Sequence, residues 1–418
     1  SNAMQLMLST RNLRPGAARA MGLVDELVGP HGSLRWAARR AIKQGRKSKP
    51  PGQLTRLQNF GPIRGLMARM MRKQVAARAN PEHYPAPFEL IEAWENHGDD
   101  PQRMMVEESE RVGKLITGET SKNLRRVFFL MERLKGFGKQ TRFKARRVHV
   151  IGAGVMGGDI AAWCVLQGME VTLQDRELKY IEPALKRAKS LFKKKLKTPN
   201  KVAGAVSRLV ADVDGKGVAK ADVIIEAIFE DVDAKRELFS GIEPQMKEGA
   251  VLATNTSAIP WADIATVLKK PESLIGIHFF NPVAKMPLVE VVYDEKSNPE
   301  QVSKGAAFCG AINRFPLPVK SSPGFLVNRV LAPYMARAMN MHLERSIPIE
   351  VLDKAATEFG MPMGPVELAD TVGLDVCAKV VATLGGESSE KEAALLQEKI
   401  HAGELGRKTG KGFYTWEK

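Results

Sequence analysis

Residues 147–176 read RVHVIGAGVMGGDIAAWCVLQGMEVTLQDR. A β-branched run ends at Gly152, an amphipathic helical pattern follows, and a second apolar run stops at Asp175. Gly152, Gly154 and Gly157 form G-x-G-x-x-G where the strand gives way to the helix, and Asp175 follows the first glycine by 23 positions. The glycine motif alone is weak; in this setting it is strong. The glycines permit a tight turn and close approach of the backbone to a pyrophosphate at a helix N-terminus. Asp175 is placed to accept hydrogen bonds from the adenosine ribose and to repel a 2′-phosphate, so NAD is expected over NADP, with Arg176 the one neighbour that tolerates a phosphate.

Working downstream, ADVIIEAIFE (221–230), GAVLATNTS (249–257) and SLIGIHFF (273–280) read as buried strands separated by helical patterns. Such alternation implies a parallel sheet with helices on both faces. After SSPGFLVNR (321–329) the strands give way to helical patterns as far as GRKTGKGFYTW (406–416).

Upstream, Gln5 to about Gln140 is helix-like, interrupted by turn clusters KSKPPG (47–52) and ANPEHYPAP (79–87), and GKQTRFKARR (138–147) reads as a basic linker. Within GPIRGLMARMMRKQVAARA (61–79), Ile63, Leu66, Met67, Met70 and Met71 fall at helical spacing opposite basic residues. That stripe is expected to pack on a neighbouring domain, with a membrane surface the alternative.

The chain has 418 residues, enough for about three domains. Ser1 to Ala3 read as the remainder of a cleaved tag and are set aside. No apolar run nears the ~20 residues that cross a bilayer, and no signal peptide is visible. Cys164, Cys309 and Cys377 are widely spaced in apolar surroundings, so they read as reduced core residues of a cytoplasmic protein, not as metal ligands or a disulfide framework. The net charge is +16, and all of the excess lies in residues 1–147, which carry 29 basic and 13 acidic side chains against 34 of each in the remainder. A solvated helical surface accounts for this, or an anionic partner such as CoA phosphates or lipid. No zinc-finger or RNA-binding signature accompanies the charge, so nucleic acid is not expected.

In SLIGIHFFNPVAKMPLVEVV (273–292), one apolar run holds a lone histidine, His278, and the next a lone carboxylate, Glu290. Burying either group unpaired is costly, so the two are expected to meet. His278 lies near the carboxyl end of a strand, where open α/β sheets bind ligands. A carboxylate on one ring nitrogen fixes the tautomer and leaves the other as a general base, although the same pair also serves as a satisfied structural contact.

IGAGVMGGDIA, EAIFEDVDAKRELF, TNTSAI, HFFNPVAKMPLVEVV, SPGFLVNR, PMGPVELAD and GRKTGKGFY together, in order and spacing, resemble the L-3-hydroxyacyl-CoA dehydrogenases over about Arg147 to Tyr414. LSTRNLRPGAARAMGLVDELV (8–28) resembles the last part of an enoyl-CoA hydratase domain, and the fusion of the two resembles the α-subunit of the fatty acid oxidation complex. The implied fold is an α/β Rossmann-type NAD-binding domain at 141–322 and an all-α C-terminal domain at 323–418. A mainly helical tail of a crotonase-like domain, with its linker, precedes them at 4–140.

The implied activity is NAD-dependent oxidation of 3-hydroxyacyl-CoA, with His278 as base, Glu290 orienting it, and Ser257 and Asn328 near the substrate's hydroxyl and thioester oxygens. For NAD the resemblance implies Gly152, Gly154, Met156 and Gly157 at the pyrophosphate and Asp175 on the ribose. Ile228, Phe229 and Glu230 follow the cofactor's path, with Lys235, Ser257 and Asn281 nearby and Lys408 as a further contact. The lysines of LFKKKLK (191–197) fall where the family meets CoA phosphates, or on a plain solvated face.

Only the tail of the hydratase domain is represented, so its oxyanion hole and paired glutamates are missing and no hydration of crotonyl-CoA is expected. The fused family also carries a second helical repeat, so the chain reads as shortened at both ends. A thiolase β-subunit is the implied partner in the full-length complex. Stand-alone members pair through the helical domain, which makes a homodimer one expectation, whereas fused members cover that surface internally. The alternatives are a hydroxyacid dehydrogenase with a lysine base, for which no glycine-rich helix is found, and a non-catalytic NAD-binding scaffold segment.

Overall fold

A computed structural model describes residues 2–9, 11–29, 31–46, 60–257, 259–384 and 390–417. The turn cluster expected at 47–52 lies outside them. The chain divides into two compact units, one ending at Phe128 and the other running from Phe129 to Lys418.

The first unit is helical, as expected: α1 (Asn2–Ser9), α2 (Pro15–Ala20), α3 (Leu34–Lys43), α4 (Gly61–Ala76), α5 (Ala86–His97), α6 (Pro101–Thr117) and the start of α7 (Glu119–Phe137). Asn2 and Ala3, set aside above, form part of α1, and the Asn2 amide donates to the Met21 carbonyl at 3.1 Å. Asp100 starts α6 by accepting from the Gln102 and Arg103 amides at 3.1 Å, with Pro101 at the first helical position. Its small core joins Met4, Ala68, Ile91 and Trp94.

Helix α4 forms where the sequence places it, but the buried stripe is rotated. Arg64 and Ala68 are buried and Met67, Met71 and Val75 half-buried, whereas Leu66 and Met70 are exposed. The reason is Arg64, whose guanidinium caps the end of α5 through the Glu95 carbonyl (2.8 Å), the Asn96 carbonyl (3.4 Å) and the Asp99 carboxylate (2.6 Å). Two last-turn carbonyls and a carboxylate satisfy the buried cation, and with Arg64 and Ala68 inward, Leu66 and Met70 face out.

The second unit holds one eight-stranded sheet: β1 (Arg147–Ile151), β2 (Glu170–Gln174), β3 (Leu209–Ala211), β4 (Val223–Glu226), β5 (Val251–Thr254), β6 (Leu274–Phe279), β7 (Leu288–Tyr293) and β8 (Phe315–Lys320), ordered β3-β2-β1-β4-β5-β6-β7-β8. Neighbouring strands are parallel except β6 and β7. The strands expected from the alternating pattern are parallel to one another; β7 departs because residues 280–287 are too few for a crossover, so it returns alongside β6. Pro316 and Pro318 suit β8 to the edge.

Helices α8 (Val155–Leu166), α9 (Leu178–Leu196), α10 (Pro199–Ser207) and α13 (Pro299–Ala311) bury residues in the larger core with Val148, Val150, Val223 and Ile225. Helices α11 (Val232–Ile242) and α12 (Trp261–Ala265) cover Ile224 and Leu252 on the other face.

Five helices follow: α14 (Val327–Arg345), α15 (Ile349–Phe359), α16 (Pro365–Val372), α17 (Leu374–Leu384) and α18 (Glu390–His401), around Met339, Val366, Leu374 and Leu396. Asp370 of α16, wholly buried, straps down the end of the chain by accepting from the Phe413 and Tyr414 amides and the Trp416 indole at 2.8–2.9 Å.

Candidate active site

The carboxyl ends of β1, β4, β5 and β6 lie along one edge of the sheet, and chain order reverses between β1 and β4, the place where open α/β sheets bind ligands. Gly152 follows β1 with φ 100°, and a Cβ on it would meet the Ala227 carbonyl at 2.5 Å. A Cβ on Gly157 would lie 1.8 Å from the Gly152 carbonyl. Gly154, immediately before α8, has nothing within 4 Å of its would-be Cβ. Two glycines thus close the turn and the third leaves open space at a helix N-terminus, which fits a dinucleotide pyrophosphate.

Asp175, one residue beyond β2, is tied to this turn, its carboxylate accepting from the Ala153 amide at 2.7 Å and the Arg176 amide at 2.8 Å. Met156 is half-buried in the first turn of α8 and packs on the core beneath. Arg187 of α9, not singled out from the sequence, donates to the Gly154 carbonyl at 3.0 Å.

His278 and Glu290 are direct partners in the antiparallel register of β6 and β7. The His278 Nδ1 lies 2.8 Å from a Glu290 carboxylate oxygen. The other oxygen accepts from the Leu326 amide at 3.0 Å and the Val327 amide at 2.9 Å, and Glu290 is wholly buried. Because Glu290 is the common acceptor of those amides, Nδ1 is the protonated nitrogen and Nε2 carries the lone pair. Phe280 and Phe325 set their rings edgewise to the imidazole at centroid distances of 4.7 and 5.5 Å.

The amides that hold Glu290 come from the start of α14, where Gly324 (φ 72°) and Phe325 (φ 49°) are both left-handed. A non-glycine residue held there costs about 1–2 kcal/mol, and here it turns two N–H groups toward one carboxylate. That clamp has no signature in the residue pattern. Asn328 follows Val327 directly and is half-buried, and its side chain has no hydrogen-bond partner among the described residues.

The remaining expected residues divide. Ile228 packs on the smaller core, Phe229 is 65% exposed, and Asn281 is exposed two residues past β6. Glu230 accepts from the Ser257 amide at 2.8 Å and its hydroxyl at 3.3 Å. Lys235 is buried, with its ammonium 2.6 Å from Glu226. Lys408 belongs to the helical domain and is ion-paired with Asp375.

Of the lysines in 191–197, Lys193 and Lys197 join Lys189, Pro199, Val202 and Val206 around a groove of about 610 Å³ between α9 and α10. Asn255 was also missed: its carboxamide oxygen accepts from the Phe279 amide at 2.9 Å, joining the ends of β5 and β6.

A glycine turn fit for a dinucleotide and a carboxylate-held imidazole, both at the carboxyl edge of one open α/β sheet, place the chain in the class of Rossmann-type dinucleotide-binding proteins. The model of the 3-hydroxyacyl-CoA dehydrogenase NAD-binding domain matches residues 147–322, and that of the C-terminal domain matches 324–416. The chain belongs to the 3-hydroxyacyl-CoA dehydrogenase family. Along its full length it is 35% identical to the fatty acid oxidation complex subunit alpha of Shewanella amazonensis, and it spans 61% of that relative. Among solved structures, FadB2 of M. tuberculosis (32% identity, TM-score 0.62) and the (S)-3-hydroxybutyryl-CoA dehydrogenase PaaH1 of Ralstonia eutropha (31%, TM-score 0.61) are each covered completely by 66% of the chain.

Proposed function

We propose that the chain oxidises L-3-hydroxyacyl-CoA to 3-ketoacyl-CoA with NAD, through a dinucleotide domain at 141–322 and a helical domain at 323–418. The observation that carries this is His278, with Nδ1 on a buried carboxylate and Nε2 without a hydrogen-bond partner among the described residues. Gly152, Gly154 and Gly157 hold the pyrophosphate and Asp175 the adenosine ribose. When bound, NAD supplies the hydride acceptor.

Nε2 of His278 takes the proton of the C3 hydroxyl. The imidazolium so formed is stabilised by Glu290, whose charge is kept in place by the two α14 amides. Ser257 and Asn328 hold the substrate's oxygens and orient C3. Phe280 and Phe325 restrict the ring and its access to water. The lysine-lined groove suits an anion with an apolar body, such as the nucleotide end of CoA. A cytoplasmic setting and a thiolase partner complete the reading. No described helix is long and apolar enough to cross a membrane.

The test is NADH formation from 3-hydroxybutyryl-CoA and longer homologues. Turnover supports the assignment; NADH binding without turnover leaves only a scaffold.

A further inference from the structure

Two loops bring the expected cofactor-path residues and Ser257 to the sheet edge: 227–231 after β4 and 255–260 after β5, the latter described apart from residue 258. They are fastened to each other by side chains that the proposed mechanism leaves unused. Glu226, the last residue of β4, is wholly buried. One of its oxygens accepts from the Ile228 amide at 2.7 Å and the Lys235 ammonium at 2.6 Å, and the other accepts from the Thr254 hydroxyl at 2.6 Å.

Lys235 is 1% exposed and reaches up from the first turn of α11, and its ammonium also lies 3.7 Å from the Glu230 carboxylate. Glu230 in turn accepts from the Thr256 hydroxyl at 2.9 Å, the Ser257 amide at 2.8 Å and the Ser257 hydroxyl at 3.3 Å. A continuous path of ionic contacts and hydrogen bonds therefore runs from the core of the sheet to Ser257.

A buried ammonium with two carboxylates about it has little left to offer a dinucleotide. Stability alone gives it no evident reason either, since an apolar pair of similar volume does as well in a core. Its effect is geometric: it draws the carboxylate of an otherwise accessible Glu230 inward, against the loop that carries Ser257. We infer that Lys235 and Glu226 are positioning residues, a buried ion pair that fixes Ser257 through Glu230. This rests on the assignment of Ser257 to the substrate's hydroxyl.

Bound in this way, Ser257 has both its amide and its hydroxyl tied to Glu230, which sets where its oxygen lies. Loosening the ion pair frees that hydroxyl to rotate and the loop to drift, and displacement of about 1 Å at a reacting group is costly to turnover.

The test is the double variant Glu226→Gln, Lys235→Met, which removes both charges while keeping volume; the carboxamide oxygen still accepts from the Ile228 amide, and its nitrogen donates to the Thr254 hydroxyl oxygen. We expect kcat to fall about tenfold while NADH affinity, read by fluorescence, stays within about twofold. Amide exchange in 255–257 should rise. Wild-type kcat in a folded double variant overturns the inference, as does a loss of NADH affinity at unchanged kcat, which makes Lys235 a cofactor contact. Should the double variant not fold, Glu230→Gln and Ser257→Ala in a double-mutant cycle decide: strong non-additivity in kcat supports the path and additivity refutes it. Absence of turnover in the wild-type protein would instead count against the proposed activity, and the exchange measurement still reads the positioning.

Discussion

The two units differ in how much they bury. From Phe129 onward the buried carboxylates of Glu226, Glu290, Asp353 and Asp370 each have several donors, and the apolar strands are covered on both faces. In the first unit, α3 and α6 bury no residue at all. Leu34, Ile42, Met105, Val106 and Ile116 are more than half exposed there. One region organises a site; the other has good helices with little to pack on. Helical periodicity and the presence of a core are separate properties, and only the second makes a precise site.

The largest expected break is at the centre of the organised unit. His278→Ala should lower kcat by about 10³-fold while NADH binding is retained, because the base acts only in the chemical step. Stopped-flow turnover and NADH fluorescence check the two halves, and near-wild-type rates would remove His278 from its role.

Next is Glu290→Gln, which keeps the shape but loses the charge held by His278 and the α14 amides. Breaking one partner of a buried hydrogen-bonded pair costs about 3–5 kcal/mol, so urea midpoints should fall along with kcat. A change in kcat alone would mean that Glu290 does not help anchor the helical domain.

The first unit gives the converse. Trp94 is 5% exposed in a core of few residues, and Trp94→Ala should cost about 3–5 kcal/mol there. Calorimetry should show an early transition lost, with dehydrogenase turnover within about twofold of wild type. A matching fall in turnover would show the two units to be energetically one.

Much of the site was legible because chemistry interrupts pattern. Glycines at a strand end and a lone histidine and carboxylate in apolar runs are departures from what a core needs, and each landed where the pattern put it. The same logic applies to Glu226, the one carboxylate of ADVIIEAIFE with two apolar residues on each side, and it is wholly buried. What could not be read was backbone work: the Leu326 and Val327 amides on Glu290 depend on two left-handed residues, and peptide groups carry no sequence signature. The rotated stripe of α4 was missed because an arginine was assumed to face water. The cysteines behave as their surroundings dictated. All three are buried and free, and burial pushes the Cys164 and Cys377 thiols up to about 12, so iodoacetamide should leave them unmodified until the unit unfolds.

The smallest effect concerns a second buried histidine of the organised unit. His149 on β1 is wholly buried, with Nδ1 2.7 Å from the Thr172 hydroxyl and Nε2 2.8 Å from the Gln174 carboxamide oxygen. Burial pushes its pKa below the ordinary 6.5, outweighing the opposing pull of the Gln174 bond and of Asp212 at 3.8 Å. The described histidines of the first unit are exposed or half-buried. The sign follows from proton counting. Below pH 6.5 the unfolded chain takes up a proton that the folded chain refuses, so stability present above that value is lost on acidification toward the folded pKa, by about 1.4 kcal/mol for each unit between the two. His149→Asn should therefore flatten the acid side of the stability profile of the sheet unit while leaving the early, first-unit transition where it was. Equal acid slopes in wild type and variant would place the proton elsewhere.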